Sequence, residues 1–174
     1  GAPYVEVDRE PAAIDLSLSD RAGWAVCLVG PPGSAAAGSL GIDLEVVEPR
    51  TDRFVTDFFT AVESEYVLGL PVGEPRDEAA NLIWSAKEAA LKLRQVGLRA
   101  DTRTVEVVVD REVRSDGWAA LVVTGSNGDR IHGVHVDQNS PGRAACGDFT
   151  GQLLPRVRKL QLLYHRTQYW FLLD

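Results

Sequence analysis

Asp43 and Glu45 stand one residue apart in Gly41-Ile42-Asp43-Leu44-Glu45. On a β-strand that spacing sends both carboxylates to one face, with Ile42 and Leu44 on the other. Glu88 and Lys92 stand four apart in Trp84-Ser85-Ala86-Lys87-Glu88-Ala89-Ala90-Leu91-Lys92, about one helical turn. Each pair alone has an ordinary reading: a solvated strand face, or an ion pair on a helix surface worth a few tenths of a kcal/mol. If the two stretches meet, three carboxylates share one place, repel each other and raise one another's pKa. A hard divalent cation relieves that repulsion. Mg²⁺ suits a few carboxylates together with water and substrate phosphates, and an ammonium beside it offsets charge on a phosphoryl leaving group. The set is equipment for metal-assisted phosphoryl chemistry.

The elements that must position these residues are legible in the pattern. Residues 77–96 carry the longest helical signal, with Ala79, Ile83, Ala86, Ala90 and Leu93 on one stripe. Glu88 points away from that stripe, but Trp84 and Leu91 flank it, so a second side of the helix is covered as well. The helix is expected to stop near Gly97. Asp52 to Phe59 has helical apolar spacing, and Thr60 with Glu63 three residues on is a capping box that opens another helix. Strands are expected at 14–18, 24–29, 40–47, 105–109, 118–124 and 131–136, with a turn at 19–23, a loop at 69–76 and a hairpin turn at 126–129. A short pairing of Val5-Glu6-Val7 is also open. Residues 30–39 read as a flexible connection: no Gly-Lys-Ser/Thr follows, and two prolines remove the amides a phosphate loop would use. Residues 153–174 mix basic residues with Leu and aromatics and read as an amphipathic helix docking on the domain rather than on a membrane. The organisation expected is one domain over 1–150, with the motifs in about 16–136, and a tail over 151–174.

Composition narrows the class. The chain has 174 residues, 45% hydrophobic and 25% charged, which suits a soluble globular domain. No apolar run approaches the roughly 18 residues that span a bilayer. A formal net charge of -7 argues against nucleic-acid binding, which needs cations to neutralise phosphates. Cys27 and Cys146 have no metal or redox spacing and are expected to be buried thiols, consistent with a reducing cytoplasm. His132 and His135, an odd number apart on a strand, are expected on opposite sides and so not on one metal. The absence of methionine suggests a domain cut from a longer chain or the remnant of a tag.

Taken together, Gly41-Ile42-Asp43-Leu44-Glu45, Phe58-Phe59-Thr60-Ala61-Val62-Glu63 and Trp84 to Lys92 resemble the 4′-phosphopantetheinyl transferases in order, spacing and context. The resemblance runs from about Leu16 to Val136. It implies an α+β fold with an antiparallel sheet packed against one long helix plus short helices. It implies an enzyme, a holo-[acyl-carrier-protein] synthase, that uses coenzyme A and Mg²⁺. Such an enzyme moves the 4′-phosphopantetheine arm to a serine of an acyl or peptidyl carrier protein and releases 3′,5′-ADP. By position, Asp43, Glu45 and Glu88 would be metal ligands, Glu88 also the base, and Lys92 a phosphate contact that helps the leaving group. Lys87, Ser17 and Arg21 would serve the coenzyme A site, and Glu63 matches a further acidic position near the metal.

Two departures stand out. Many members carry Ser-His-Ser/Thr before the buried strand, whereas this chain has Ser17-Leu18-Ser19. Arg21 is the nearby candidate to replace that histidine. The larger members also carry a preceding half of the same fold, and only about 15 residues precede Leu16 here. A homo-oligomer or a neighbouring domain would then complete the coenzyme A site, as in a carboxy-terminal domain of a polyketide synthase. Two other classes stay open on the residues: a non-catalytic module binding carrier or coenzyme A, and a carboxylate-metal nuclease, which the net charge disfavours.

Overall fold

The computed structural model describes residues 3–12, 14–30, 40–113, 118–137, 159–164 and 169–171. Among these are three α-helices and ten strands in antiparallel pairings. β1 (Glu6–Val7) and β2 (Glu10–Pro11) make a minimal hairpin through Asp8 and Arg9, both at positive φ. β3 (Asp15–Arg21) and β4 (Trp24–Gly30) pair along their whole length, and β10 (Tyr169–Phe171) adds to the other edge of β4. The second sheet runs β5 (Leu40–Glu45), β9 (Lys159–Tyr164), β8 (Arg130–Asp137), β7 (Trp118–Gly125), β6 (Val105–Val113).

The turn expected at 19–23 is shorter than the composition suggested. Ala22 (φ 53°) and Gly23 (φ 83°) make a two-residue turn with both central φ positive, so β3 continues through Ser19 and Asp20 to Arg21. Such turns match the right-handed twist of the flanking strands. This extension carries Ser19 into the site.

α1 (Asp52–Phe58) is capped by the Thr51 hydroxyl, which accepts from the Phe54 amide. α2 (Ala61–Gly69) has the full reciprocal capping box between Thr60 and Glu63. α3 (Glu74–Leu93) starts inside the stretch expected to be loop. Pro75 does not delay it, because a proline in the first helical turn gives up an amide that has no intrahelical partner anyway. α3 also ends before Gly97. Arg94 is the C-cap, Gln95 takes the left-handed conformation (φ 58°), and the Gln95 and Val96 amides donate to the Lys92 and Leu91 carbonyls. This is the Schellman arrangement with glutamine where glycine is usual.

α3 packs on β5, β9, β6 and α2, and nearly all its side chains from Ala79 to Leu93 are buried. Gly41 allows the close approach of β5: a Cβ there would fall against the Ala89 carbonyl and the Leu93 side chain. The main core joins α3 to Val55, Phe59, Val67, Val105, Val107, Leu121, Val123 and Ile131.

The tail departs from expectation. A docking helix was expected over 151–174, but its described residues are strands, and β9 lies between β5 and β8 with six-residue and five-residue registers. Its pairing is decided by two strands remote in sequence, which local periodicity does not reveal. Among the described residues no helix is long and apolar enough to cross a membrane.

Candidate metal centre

β5 and α3 bring the predicted carboxylates together. One oxygen each of Asp43, Glu45 and Glu88 lies within 4.8 Å of the others, the one cluster of this kind among the described residues. The reason is the strand–helix contact at Gly41: β5 crosses α3 so closely that residues two and four positions further along the strand meet the helix about a turn and a half before its C-terminal end. Asp43 and Glu45 are buried, and Glu88 is half-buried.

Each carboxylate is held differently. Asp43 Oδ1 accepts from Lys92 Nζ at 2.7 Å and from the Ser19 hydroxyl at 2.9 Å. Its Oδ2 is buried with no donor. Glu45 Oε2 lies 3.2 Å from Arg50 and 3.4 Å from Arg21. Burial raises the Glu45 pKa and Asp43 adds to the rise, while the two arginines oppose it. Glu88 is pushed up to about 7, first by burial, then by the Asp43 charge against the opposing Lys92.

The donor set fits a divalent cation. It consists of hard oxygens only, one of them a buried carboxylate oxygen that no protein donor satisfies, and such an atom is expensive to leave without a partner. Lys92 Nζ spends two of its three N–H donors on Asp43 and on the Ile42 carbonyl (3.1 Å), and remains part-exposed. One donor is left to face an anion beside the cluster.

Lys87 and Glu63 do not join this group. Lys87 is fully buried; its ammonium donates to the Thr102 carbonyl (3.0 Å) and the Val105 carbonyl and pairs with Glu63 Oε2 at 2.7 Å. With all three donors used inside the protein, it has none for phosphate. Burial lowers its pKa, and Glu63 resists that fall. Glu63 in turn accepts from the Thr60 and Val107 amides, so its carboxylate closes the capping box and caps the edge of β6. Both residues brace the fold behind the site rather than form its wall.

On β3, Ser17 is buried and its hydroxyl accepts from the Ile42 amide at 3.1 Å, so it faces β5 and is closed to a nucleotide. Leu18 points the other way, 48% exposed. Arg21 is part-exposed and reaches the acidic cluster itself, through Glu45 and through Glu48 at 2.7 Å.

Sequence reasoning passed over four further residues here. Ser19 joins the amide of Leu44 to Asp43. Arg50 joins Glu45, Glu48 and Asn81, with its guanidinium 4.8 Å over the Phe54 ring. The fully buried Asn81 ties Arg50 to the Glu48 carbonyl. Ser19 carried a signal, since it shares a strand face with Ser17; Arg50, Asn81 and Glu48 carried none. Elsewhere, His132 is exposed and His135 buried on β8, on opposite sides as their spacing required. Cys27 is an unpaired, half-buried thiol, and burial pushes its pKa up. Cys146 lies outside the described residues.

Residues 39–119 match the family model of the 4′-phosphopantetheinyl transferase superfamily. The matched span contains β5, all three helices and the whole acidic cluster. No curated protein matches the chain significantly.

Proposed function

We propose that this protein transfers the 4′-phosphopantetheine arm of coenzyme A to a serine of an acyl or peptidyl carrier protein, with Mg²⁺, releasing 3′,5′-ADP. The observation that carries the reading is the Asp43–Glu45–Glu88 cluster with its unsatisfied Asp43 Oδ2, lying inside the span that matches the superfamily. The fold is read accordingly as that of the phosphopantetheinyl transferases, with α3 as the long helix against the sheet.

Asp43, Glu45 and Glu88 would hold the Mg²⁺. Bound there, the cation would gather pyrophosphate oxygens and offset their charge. The carrier serine oxygen forms a bond to the phosphorus that bears the pantetheine, and the bond from that phosphorus to the bridging oxygen breaks. The bridging oxygen and its electron pair leave with 3′,5′-ADP. Glu88 takes the serine proton, directly or through water. The free donor of Lys92 turns to the leaving phosphate and offsets its charge. Arg21, part-exposed at the rim, is the cation available to the nucleotide where Leu18 offers no donor.

The test is the mass of an apo-carrier protein incubated with this chain, coenzyme A and Mg²⁺. It should rise by one phosphopantetheine. Asp43→Ala and Glu88→Ala should each slow the transfer by about 10²-fold or more. A Glu88→Ala rate equal to wild type removes Glu88 from the mechanism. One observation favours a second reading, a module of this fold that binds without transfer. Ser17 and Lys87, two residues assigned to coenzyme A by resemblance, are closed inside the protein. Coenzyme A binding by calorimetry without any transfer would select it.

A further inference from the structure

Asp43 has two unlike oxygens, and the difference is built by β3. Oδ1 receives both donors, Lys92 Nζ at 2.7 Å and the Ser19 hydroxyl at 2.9 Å. Oδ2 is buried and receives none. Ser19 is itself fixed, because its oxygen accepts the Leu44 amide at 3.2 Å. With that oxygen engaged by an N–H, its single proton is directed at Asp43. Ser19 is only 9% exposed, so no water need supply either bond. Ser17, two residues before it, accepts the Ile42 amide in the same way at 3.1 Å. The two hydroxyls therefore do the same work for the edge of β5, and they differ in one respect: the carboxylate bonded to Ser19.

We propose that Ser19 is a positioning residue of the cation site, holding the Asp43 carboxylate by Oδ1 so that Oδ2 alone is presented to the metal. The inference rests on the metal reading given above. Outer donors of this kind set the orientation of a ligating carboxylate, and their loss typically weakens metal binding by about 10–100-fold. Lys92 cannot replace Ser19 alone. It approaches from α3 and also answers the Ile42 carbonyl, so with Ser19 removed the carboxylate is free to turn about its Cβ–Cγ bond toward the lysine.

The test is Mn²⁺ binding to the full chain by calorimetry, with thermal unfolding recorded on each variant, and no turnover is needed. Wild type should bind one Mn²⁺. Ser19→Ala should bind about 10-fold or more weakly, Ser19→Thr should return to within about 3-fold of wild type, and Ser17→Ala should bind as wild type does. Both alanine variants should still unfold cooperatively, with Ser19→Ala losing more thermal stability than Ser17→Ala, since it gives up the hydroxyl–carboxylate bond as well as the amide–hydroxyl bond. Equal Mn²⁺ affinity in Ser19→Ala and wild type, or equal loss in Ser17→Ala and Ser19→Ala, overturns the role of Ser19 and leaves the metal reading intact. A wild-type chain that binds no Mn²⁺ overturns the metal reading, and the inference with it.

Discussion

Glu88 sits among carboxylates on a half-buried helix face, and its titration follows from that position. Its pKa is raised from 4.5 to about 7 by burial and by Asp43. Between these values the native protein, free of metal, holds a proton that the unfolded chain has lost. Its contribution to stability is fully present below about pH 4.5 and lost as pH rises through 7. Glu45 is raised too and acts in the same direction. The metal-free melting temperature should therefore fall between pH 5 and 8, and Mg²⁺ affinity should rise over the same interval because binding expels the proton. Glu88→Gln should flatten both profiles, raise the metal-free melting temperature at pH 8 by roughly 2–4 °C, and weaken Mg²⁺ binding; calorimetric titrations at three pH values check this. Lys87 makes the opposite case. Lys87→Met should cost about 3 kcal/mol or more in urea unfolding, since it strands the buried Glu63 charge. Adding Glu63→Gln should recover much of that loss while keeping an acceptor for the capping box. Coenzyme A affinity of the folded fraction should not change, and a large loss would return Lys87 to the phosphate site. The side by side placement of Lys87 and Glu88 explains why the sequence could not separate their roles. Both read as polar residues of a long helix, and only the covering of almost the whole helix circumference shows that one ammonium faces inward.

At the scale of elements, the site depends on how closely β5 can lie on α3. A Cβ at Gly41 would strike backbone, the Ala89 carbonyl, which cannot turn aside as a side chain would. Gly41→Ala should cost about 2–4 kcal/mol and weaken Mg²⁺ binding, because displacing β5 separates Asp43 and Glu45 from Glu88. Gly69→Ala is the control. At the end of α2 an added Cβ meets nothing, so stability should hold or improve by about 0.4–1 kcal/mol. Urea unfolding of the two variants measures both claims. Much at this scale was legible beforehand. The Thr60–Glu63 box, the apolar spacing of α1 and the hairpin at 126–129 are local devices whose partners lie within a few residues. Proline and glycine mislead as punctuation at both ends of α3: it starts before Pro75 because the first helical turn tolerates proline, and it ends short of Gly97 because Gln95 takes the left-handed position that glycine usually fills.

At the scale of the whole molecule, the two sheets meet at β5, and the chain reaches that junction from both ends. On one side of β5, Ser17 and Ser19 of β3 take the amides of Ile42 and Leu44 in place of a strand ladder. On the other, β9 supplies the ladder, pairing Asp43 with Gln161 and Glu45 with Lys159, and continues to β8. The stretch that holds two of the three site carboxylates is therefore braced by residues more than a hundred positions later. Nothing local in 159–164 announces this. Leu160, Leu162 and Leu163 keep neither helical nor strict strand period, and the pairing is decided by two edges that exist only after the rest has folded. A chain ending at residue 150 keeps every motif yet leaves β5 and β8 without the strand between them. Unpaired backbone groups on two facing edges cost a large share of the roughly 5–15 kcal/mol by which a domain is stable. The truncated chain should show no cooperative thermal transition and no Mn²⁺ binding. If residues 1–150 instead melt cooperatively and bind the cation as the full chain does, β9 is an accessory strand and the acidic cluster is held by β3 and α3 alone.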